Sequence, residues 1–285
     1  MDTYIEIIKK IPGIVVKDYS FNKEGQNNDV VIINDEYVFK FPKYSKGIES
    51  LKKETDLLVV LNKYVTLSIP QPEYCKFDSL TAGQAYCGYK LIKGISFSRK
   101  KFDDVKDKET IANQLALFLK QLHGIPLSEV KGLTLEAADN HSEWRNLFRK
   151  IQDKLFPYMK KETKDSISDS FNNFFEQSFS INQTIIHGDF GPSNIIFDIN
   201  SQKISGIIDF SEVTIGDPAS DIASLIGPLG YGEDFIKYFE PVYHNVDELM
   251  QRARFYASTF ALQEALFGIE FGDREAFNAG MKQYL

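Results

Sequence analysis

A polar motif between apolar segments constrains the fold of this chain more than any other feature. The motif His187-Gly-Asp-Phe-Gly-Pro-Ser-Asn194 lies between the short apolar segments 184–186 and 195–197. A polar turn at 200–202 follows, and a further apolar segment ends at Asp209. Short apolar runs separated by turn residues are typical of strands. The spacing therefore predicts a strand, a loop and an antiparallel hairpin that returns Asp209 to the side of Asn194.

The residue types in this pattern suit phosphoryl transfer. Asp189 would orient a hydroxyl group and accept its proton, while Asn194 and Asp209 would hold Mg²⁺ on nucleotide phosphates through oxygen atoms. Asp, Asn, Gly and Pro are also ordinary loop residues. The combination of an HxDxxxxN motif with a hairpin that ends in Asp nevertheless favours a site. We predict Asp189 as the catalytic residue and Asn194 and Asp209 as the metal ligands.

Composition and length indicate a soluble globular protein with one large domain or two lobes. The chain has 285 residues, of which 43% are hydrophobic and 26% charged, and its net charge is −7. This charge argues against a nucleic-acid partner and is compatible with cationic ligands. The sequence shows neither a signal peptide pattern nor an apolar stretch near the ~20 residues that span a bilayer. We expect a cytoplasmic monomer without a membrane partner.

The two cysteines, Cys75 and Cys87, lie in predicted neighbouring strands. In a cytosolic protein they are interpreted as reduced core thiols.

The two ends of the chain differ in their predicted structure. After a short helix at 3–11, residues 14–92 read as strands around one helix at 46–64, with a hairpin signal at 34–36. From residue 94 onwards the apolar spacing is helical, most clearly at 108–123. We therefore predict a β-rich lobe at 1–92 and a mainly helical lobe at 93–285.

The motifs resemble those of the aminoglycoside phosphotransferases, and the 2″-phosphotransferase branch in particular. The resemblance extends from about Gly25 to the C-terminus. It implies an α+β, protein-kinase-like two-lobed fold, in which the N-terminal lobe binds the nucleotide and the C-terminal lobe carries the catalytic loop and substrate site. It also implies that His187 supports the catalytic loop rather than transferring protons.

A lysine and a glutamate in the predicted β-rich lobe complete the nucleotide site. Lys40 lies on a predicted strand and Glu54 in the helix that follows. Kinase-like folds use such a pair to hold the lysine on the α- and β-phosphates. A solvent-facing lysine and a surface glutamate are the structural alternative. Lys43 is the competing candidate for the phosphate-binding lysine, but it lies beyond Pro42.

Further nucleotide contacts are predicted on both sides of this strand. The loop around Gly25 would cover the phosphates, although a single glycine is also explained by turn formation. Tyr89 and Leu91 lie in a strand and linker that would bind a purine through backbone groups. In the resembled branch, a tyrosine at the position of Tyr89 accompanies a preference for GTP.

Amine-bearing substrates require carboxylates, and several acidic residues follow the motif. Asp217 and Asp221 lie at the start of a predicted helix, where an N-cap and a dipole-stabilising acid are the equally weighted alternative. The family account places Asp217 in support of the catalytic loop. The predicted substrate contacts are Asp217, Asp221, Glu212, Glu233, Glu264 and Glu270. His123 is interpreted as a packing residue at the end of a helix.

Together these features predict a small-molecule kinase. It would transfer the γ-phosphoryl of GTP or ATP, with Mg²⁺, to a hydroxyl group of an antibiotic, foremost an aminoglycoside. The alternatives are a kinase of the same fold that acts on a macrolide or a hydroxyl metabolite, and a nucleotide-binding pseudoenzyme that serves as an interaction module.

Overall fold

The computed structural model describes residues 2–22, 27–133, 135, 137 and 140–285. The strands of this part of the chain are β1 (Tyr19–Asn22), β2 (Asn28–Ile33), β3 (Tyr37–Pro42), β4 (Tyr74–Lys76), β5 (Tyr86–Lys90), β6 (Ile95–Ser96), β7 (Thr184–Ile186), β8 (Ile195–Asp198), β9 (Lys203–Ile207) and β10 (Thr214–Gly216).

Most helices of the described residues follow β6 in the chain. The α-helices are α1 (Asp2–Ile8), α2 (Ser45–Leu61), α3 (Arg99–Asp104), α4 (Lys108–His123), α5 (Asn140–Lys154), α6 (Lys161–Glu176), α7 (Ala219–Ile226), α8 (Glu233–Ile236), α9 (Val246–Phe271) and α10 (Arg274–Met281). Short 3₁₀ helices occupy Leu127–Val130, Phe156–Tyr158 and Lys237–Phe239.

The chain divides into two compact units that do not follow chain order. The first unit contains Met1–Phe97, Gly124–Leu135 and Ser193–Val213, and the second contains Ser98–His123, Glu136–Pro192 and Thr214–Leu285. The hairpin that carries Asn194 and Asp209 thus belongs to the same unit as Lys40. The functional division into lobes at 1–92 and 93–285 stays a prediction.

A five-stranded antiparallel sheet forms the centre of the first unit. Its strand order is β1-β2-β3-β5-β4. Between β2 and β3, Asn34 and Asp35 adopt positive φ angles of 55° and 51°. Two consecutive residues with positive φ are what a tight hairpin turn requires. The predicted hairpin around 34–36 is confirmed.

Alternation along β3 separates a core face from a face that carries charge. Phe39 and Phe41 are fully buried and pack in a cluster that includes apolar residues of α1, and Tyr4 stacks on Phe41 at 4.3 Å between ring centroids. Because successive side chains of a strand point to opposite faces, Lys40 lies on the other face of the sheet. The sheet therefore fixes the direction of this lysine through the packing of its neighbours.

The two cysteines differ from their predicted chemical state. Cys75 and Cys87 are direct partners in the register of β4 and β5, and their sulfur atoms form a disulfide. Their predicted position on neighbouring strands is confirmed, but the interpretation as reduced thiols does not describe this structure. Directly opposed residues of antiparallel strands have Cβ atoms close enough for such a bond.

A second sheet of the first unit contains the predicted hairpin. Strands β8 and β9 pair antiparallel, with Ile195 opposite Ile207, and β6 pairs with the outer side of β8. The backbone N–H of Ile208 donates to the carbonyl of Asn194 at 2.9 Å. This bond extends the ladder by one residue and brings Asp209 next to Asn194, as the spacing predicts.

The second unit is helical around one short sheet. Strand β7 pairs antiparallel with β10, and α9 packs against α7 and α10. The prediction placed Asp217 at the N-cap of a helix, whereas the N-cap of α7 is Pro218. Asp217 still caps the first turn, because its Oδ1 accepts from the N–H of Ala219 at 2.9 Å. None of the helices in the described ranges is long and apolar enough to cross a bilayer.

Close packing of β5 against β3 generates a test of the fold. A Cβ atom at Gly88 would lie 2.6 Å from Cδ1 and 2.9 Å from Cζ of the Phe39 ring. We expect Gly88→Ala to lower the free energy of unfolding by about 1–3 kcal/mol through overpacking. Urea denaturation measures this change. Gly132→Ala is the matched control, because nothing lies within 4 Å of its added Cβ. Equal stability of the two variants would contradict the packing described here.

Candidate active site

A buried ion pair on β3 marks the first half of the site. Lys40 Nζ lies 2.7 Å from Oε1 of Glu54 in α2 and 3.3 Å from Oδ1 of Asp209. Lys40 and Glu54 are 7% and 4% exposed, whereas the Asp209 side chain is 47% exposed. One lysine therefore faces two carboxylates, of which the second remains accessible to a ligand. The competing Lys43 lies instead near Asp29, with 3.7 Å between Nζ and Oδ1.

The electrostatic environment keeps this lysine charged. Burial lowers the pKa of Lys40, but attraction to Glu54, with further contributions from Tyr89 and Asp209, outweighs burial and raises that pKa above its ordinary value. Burial raises the pKa of Tyr89 to about 12, against an opposing effect of Lys40. At neutral pH the site therefore contains an ammonium group beside a neutral phenol.

Asn194 and Asp209 form the second part of the site on the hairpin. Asn194 is buried directly before β8, and Asp209 follows the end of β9 with a φ of 62°. Such a left-handed conformation is uncommon for a residue other than glycine and is often found at functional sites. The pair places an amide and a carboxylate, both oxygen donors, at the same end of the hairpin.

The loop that carries Asp189 is anchored on either side of it. His187 and Phe190 are fully buried, and Phe190 stacks on Phe118 of α4 at 5.5 Å between ring centroids. Asp189 itself is exposed, and Gly188 before it has a φ of 80°. His187 and Phe190 are fixed in the core, and the chain turns at Gly188. The Asp189 carboxylate is therefore held outside the core.

Hydrogen bonds from the backbone N–H groups of His187, Gly188 and Asp189 hold this loop in place. The N–H groups of His187 and Gly188 donate to the two carboxylate oxygens of Asp221, at 2.9 Å and 3.0 Å. The N–H of Asp189 donates to Nδ1 of His187 at 3.3 Å. His187 thus contacts the loop backbone, as the resemblance implies. Because all three N–H groups have acceptors, the loop has a defined shape without regular secondary structure.

The prediction of Asp217 and Asp221 as substrate contacts is wrong, because both side chains are buried and already paired. Asp217 is buried, and its carboxylate accepts from Arg252 Nε at 2.6 Å and from the hydroxyl of Tyr256 at 2.8 Å. Asp221 is also buried, with His123 Nε2 at 3.0 Å from its Oδ2. Neither carboxylate is available to a substrate amine in this arrangement. The direct support of the loop comes from Asp221, whereas the family account assigned that role to Asp217.

Among the remaining predicted substrate contacts, Glu233 and Glu270 pair with basic residues of the same chain. Glu233 is paired with Arg254 through both carboxylate oxygens, at 3.0 Å and 2.8 Å. Glu270 accepts from Lys154 at 2.7 Å and lies 3.1 Å from Lys150. Glu264 is exposed on α9, and Glu212 is exposed in the first unit. The structure thus balances much of this negative charge with basic side chains of the same chain.

The predicted purine contacts Tyr89 and Leu91 lie on β5 and directly after it. Tyr89 is buried opposite Val38 in the register of β5 and β3. The N–H of Leu91 donates to the carbonyl of Glu36 at 2.8 Å, so this donor is already used within the chain. Gly25 lies outside the described residues. A backbone contact to a purine would therefore involve other groups of the linker than the Leu91 N–H.

The sequence did not predict the side-chain contacts of His123. Periodicity placed it correctly at the end of α4, but its partners Asp221 and Tyr243 follow 98 and 120 residues later. No local signal in the sequence connects such distant residues.

The fold and the site define a phosphotransferase of the protein-kinase-like class that acts on an alcohol group. The chain matches the phosphotransferase enzyme family over residues 18–256 and belongs to that family. The predicted family, fold class and enzyme class are confirmed.

Individual relatives cover nearly the whole chain. The viomycin phosphotransferase of Streptomyces vinaceus is 26% identical over 297 residues, covering 100% of this chain and 99% of its own. The solved GDP and kanamycin complex of APH(2″)-IIIa is 25% identical with a TM-score of 0.88, covering 98% of this chain and 96% of that one. The macrolide 2′-phosphotransferase type I has a TM-score of 0.77 at 17% identity, covering 99% and 96%, and this likeness shows the fold alone.

Two arginines of α9 pair with acidic residues that differ in burial: Arg252 with the buried Asp217 and Arg254 with the exposed Glu233. Replacing each arginine tests how much each pair stabilises the protein. Removing one partner of a buried ion pair costs about 3–5 kcal/mol, whereas an exposed pair contributes about 0–1 kcal/mol. We expect Arg252→Gln to destabilise the protein by the larger amount, because it leaves the buried Asp217 without its main partner. Chemical denaturation measures the change.

Arg254→Gln is the matched control for this prediction. Arg254 lies two residues away on the same helix and pairs with Glu233 at the surface. Its replacement should change stability by less than about 1 kcal/mol. Similar losses in both variants would show that Glu233 is as much a part of the core network as Asp217.

Proposed function

We propose that this protein transfers the γ-phosphoryl group of GTP or ATP, with Mg²⁺, to a hydroxyl group of an aminoglycoside antibiotic. The observation that carries the proposal is the ion cluster of the first unit, in which Lys40 lies 2.7 Å from Glu54 and 3.3 Å from the accessible Asp209. Phosphoryl transfer depends mainly on positioning and on charge neutralisation. A lysine held in the charged form beside an accessible carboxylate suits both needs.

The nucleotide is assigned to the residues of the first unit. Lys40 would bind the α- and β-phosphates, and Glu54 would hold the lysine in place. Asn194 and Asp209 would hold Mg²⁺, and the donor set fits this ion because both side chains offer oxygen and Asp209 is half exposed. Magnesium is commonly held by one or two protein ligands together with phosphate oxygens and water. When bound, it neutralises charge on the transferring phosphates.

The acceptor hydroxyl is assigned to Asp189. Its exposed carboxylate would bind the hydroxyl proton and accept it as the oxygen attacks the γ-phosphorus. Tyr89, neutral and buried next to Lys40, would limit the depth of the purine pocket and favour GTP over ATP. The loop around Gly25 would cover the phosphates.

A second acceptor class has support from the comparisons. The viomycin phosphotransferase matches this chain over its full length, and its name indicates viomycin as its acceptor. The pairing of Glu233 and Glu270 with basic residues also leaves fewer carboxylates for a polyamine. Viomycin is therefore the second candidate acceptor, and macrolides or hydroxyl metabolites are outcomes of the same assay.

The test is release of GDP or ADP in the presence of Mg²⁺ and an acceptor panel of kanamycin, gentamicin, viomycin, a macrolide and a simple sugar. Stimulation by an aminoglycoside, larger with GTP than with ATP, is the expected result. Stimulation only by another compound would replace the acceptor and retain the nucleotide site. Nucleotide binding without stimulation by any hydroxyl compound would favour an interaction module.

The base assignment predicts the effect of Asp189→Ala. We expect kcat to fall by about 10²–10⁴-fold, the usual contribution of a positioned base, while the fold and nucleotide affinity are retained. Steady-state kinetics and calorimetric nucleotide titration measure the two quantities. Asp153→Ala, at an exposed position of α5, is the control. Turnover near the control value would rule out Asp189 as the base.

The metal assignment predicts a different effect for Asp209→Ala. The variant should bind nucleotide equally with and without Mg²⁺, because it lacks the carboxylate that would couple the metal to the protein. Titrations with and without Mg²⁺ give the comparison, with Asp198→Ala on the same hairpin as the control. A metal-dependent gain in affinity equal to that of the control would contradict the assignment.

A further inference from the structure

The Asp221 carboxylate, which holds the backbone of the loop, has a third partner on α4. Besides the N–H groups of His187 and Gly188, it contacts His123, with 3.0 Å between Nε2 and Oδ2. His123 is 8% exposed and Asp221 is fully buried. The orientation of this carboxylate therefore depends on His123 as well as on the loop.

The contact determines which ring nitrogen of His123 carries a proton. An ionised carboxylate only accepts hydrogen bonds, so Nε2 must be the donor to Asp221. In neutral histidine the other nitrogen, Nδ1, is then an acceptor. A buried acceptor without a donor is unfavourable, and the tautomer thus requires a hydroxyl or N–H group at Nδ1.

Tyr243 supplies that group. Its hydroxyl lies 2.9 Å from His123 Nδ1, and its ring meets the imidazole edge-on, with centroids 5.7 Å apart and planes at 82°. Burial, followed by the negative charges of Asp221 and Asp217, raises the pKa of Tyr243 to about 12. The phenol therefore keeps its proton at neutral pH and can donate a hydrogen bond to Nδ1.

We propose that Tyr243 is a positioning residue for phosphoryl transfer. By donating to Nδ1, it fixes His123 as the Nε2–H tautomer, and His123 then holds the Asp221 carboxylate in the orientation that binds His187 and Gly188. The inference rests on the proposed role of Asp189, which follows these two residues. Tyr243 would affect the reaction only through this relay.

The physical reason is the poor fit of the other tautomer. With the proton on Nδ1, the lone pair of Nε2 would face the Asp221 carboxylate, and the two would repel each other. Asp221 would turn away, and the N–H groups of the loop would lose part of their support. The nucleotide contacts assigned to Lys40 and Asp209 involve no residue of this relay. The expected loss is therefore in kcat and not in nucleotide affinity.

The variant Tyr243→Phe removes the hydroxyl and keeps the ring. We expect kcat to fall about threefold to tenfold, as for the loss of one hydrogen bond, with an unchanged dissociation constant for GTP. Tyr238→Phe is the matched control, because Tyr238 is an exposed tyrosine five residues earlier. A Tyr243→Phe variant with the kcat of the control would overturn the proposal.

A double-mutant cycle shows whether Tyr243 acts through His123. In the His123→Gln background, Tyr243→Phe should cause no further loss of kcat, because the relay is already broken. Full additivity of the two losses would overturn the relay.

Two readouts do not depend on turnover and separate this inference from the proposed function. Nitrogen-15 NMR of the wild type should show His123 as the neutral Nε2–H tautomer, and a doubly protonated or Nδ1–H ring would contradict the proposal. Hydrogen exchange at the amides of His187 and Gly188 should be faster in Tyr243→Phe than in Tyr238→Phe. Equal exchange rates would also contradict it. Failure of the proposed function would instead appear as a wild type without turnover on any acceptor.

Discussion

The conformation of the loop that carries Asp189 depends on the hydrogen bonds that its backbone makes with the buried Asp221 carboxylate. A loop of glycine, proline and polar residues has no ladder of its own, yet its N–H groups need acceptors. Asp221 provides them from the first turn of α7, and His187 accepts the next N–H along the chain. Asp189 can therefore be exposed and still have a defined position.

Two buried acids of the described residues, Asp217 and Glu54, differ in whether their ion-pair networks are accessible to a ligand. Asp217 is fully satisfied by Arg252 and Tyr256, so its network stabilises the packing of α7 and α9. Glu54 also has a buried cation, Lys40, but that cation is shared with the half-exposed Asp209. The first network is closed, whereas the second includes a carboxylate that is half exposed. This difference separates a structural ion pair from a candidate binding site.

Local patterns in the sequence were sufficient for the longer strands, the main helices and the hairpin, but not for the short strands β6 and β10. The period of two along β3 placed Lys40 opposite Phe39 and Phe41, and the spacing from 194 to 209 placed two oxygen-bearing side chains, those of Asn194 and Asp209, together. Contacts between residues distant in sequence were not predictable in the same way. Asp217 and Asp221 look alike in the sequence, and only the structure shows that Asp221 meets the loop while Asp217 meets Arg252. The neutralisation of Glu233 and Glu270 and the role of His123 depend on partners that no local signal indicates.

The most direct test of the account is phosphorus-31 NMR of the purified protein with GTP, Mg²⁺ and kanamycin or viomycin. Transfer to a hydroxyl group of the acceptor predicts a new phosphomonoester resonance, coupled to a proton on the acceptor carbon, that grows as the γ-phosphate signal of GTP declines. Formation of inorganic phosphate alone, or an unchanged GTP spectrum with every acceptor tested, would contradict the central claim that Asp189 directs phosphoryl transfer to an antibiotic hydroxyl.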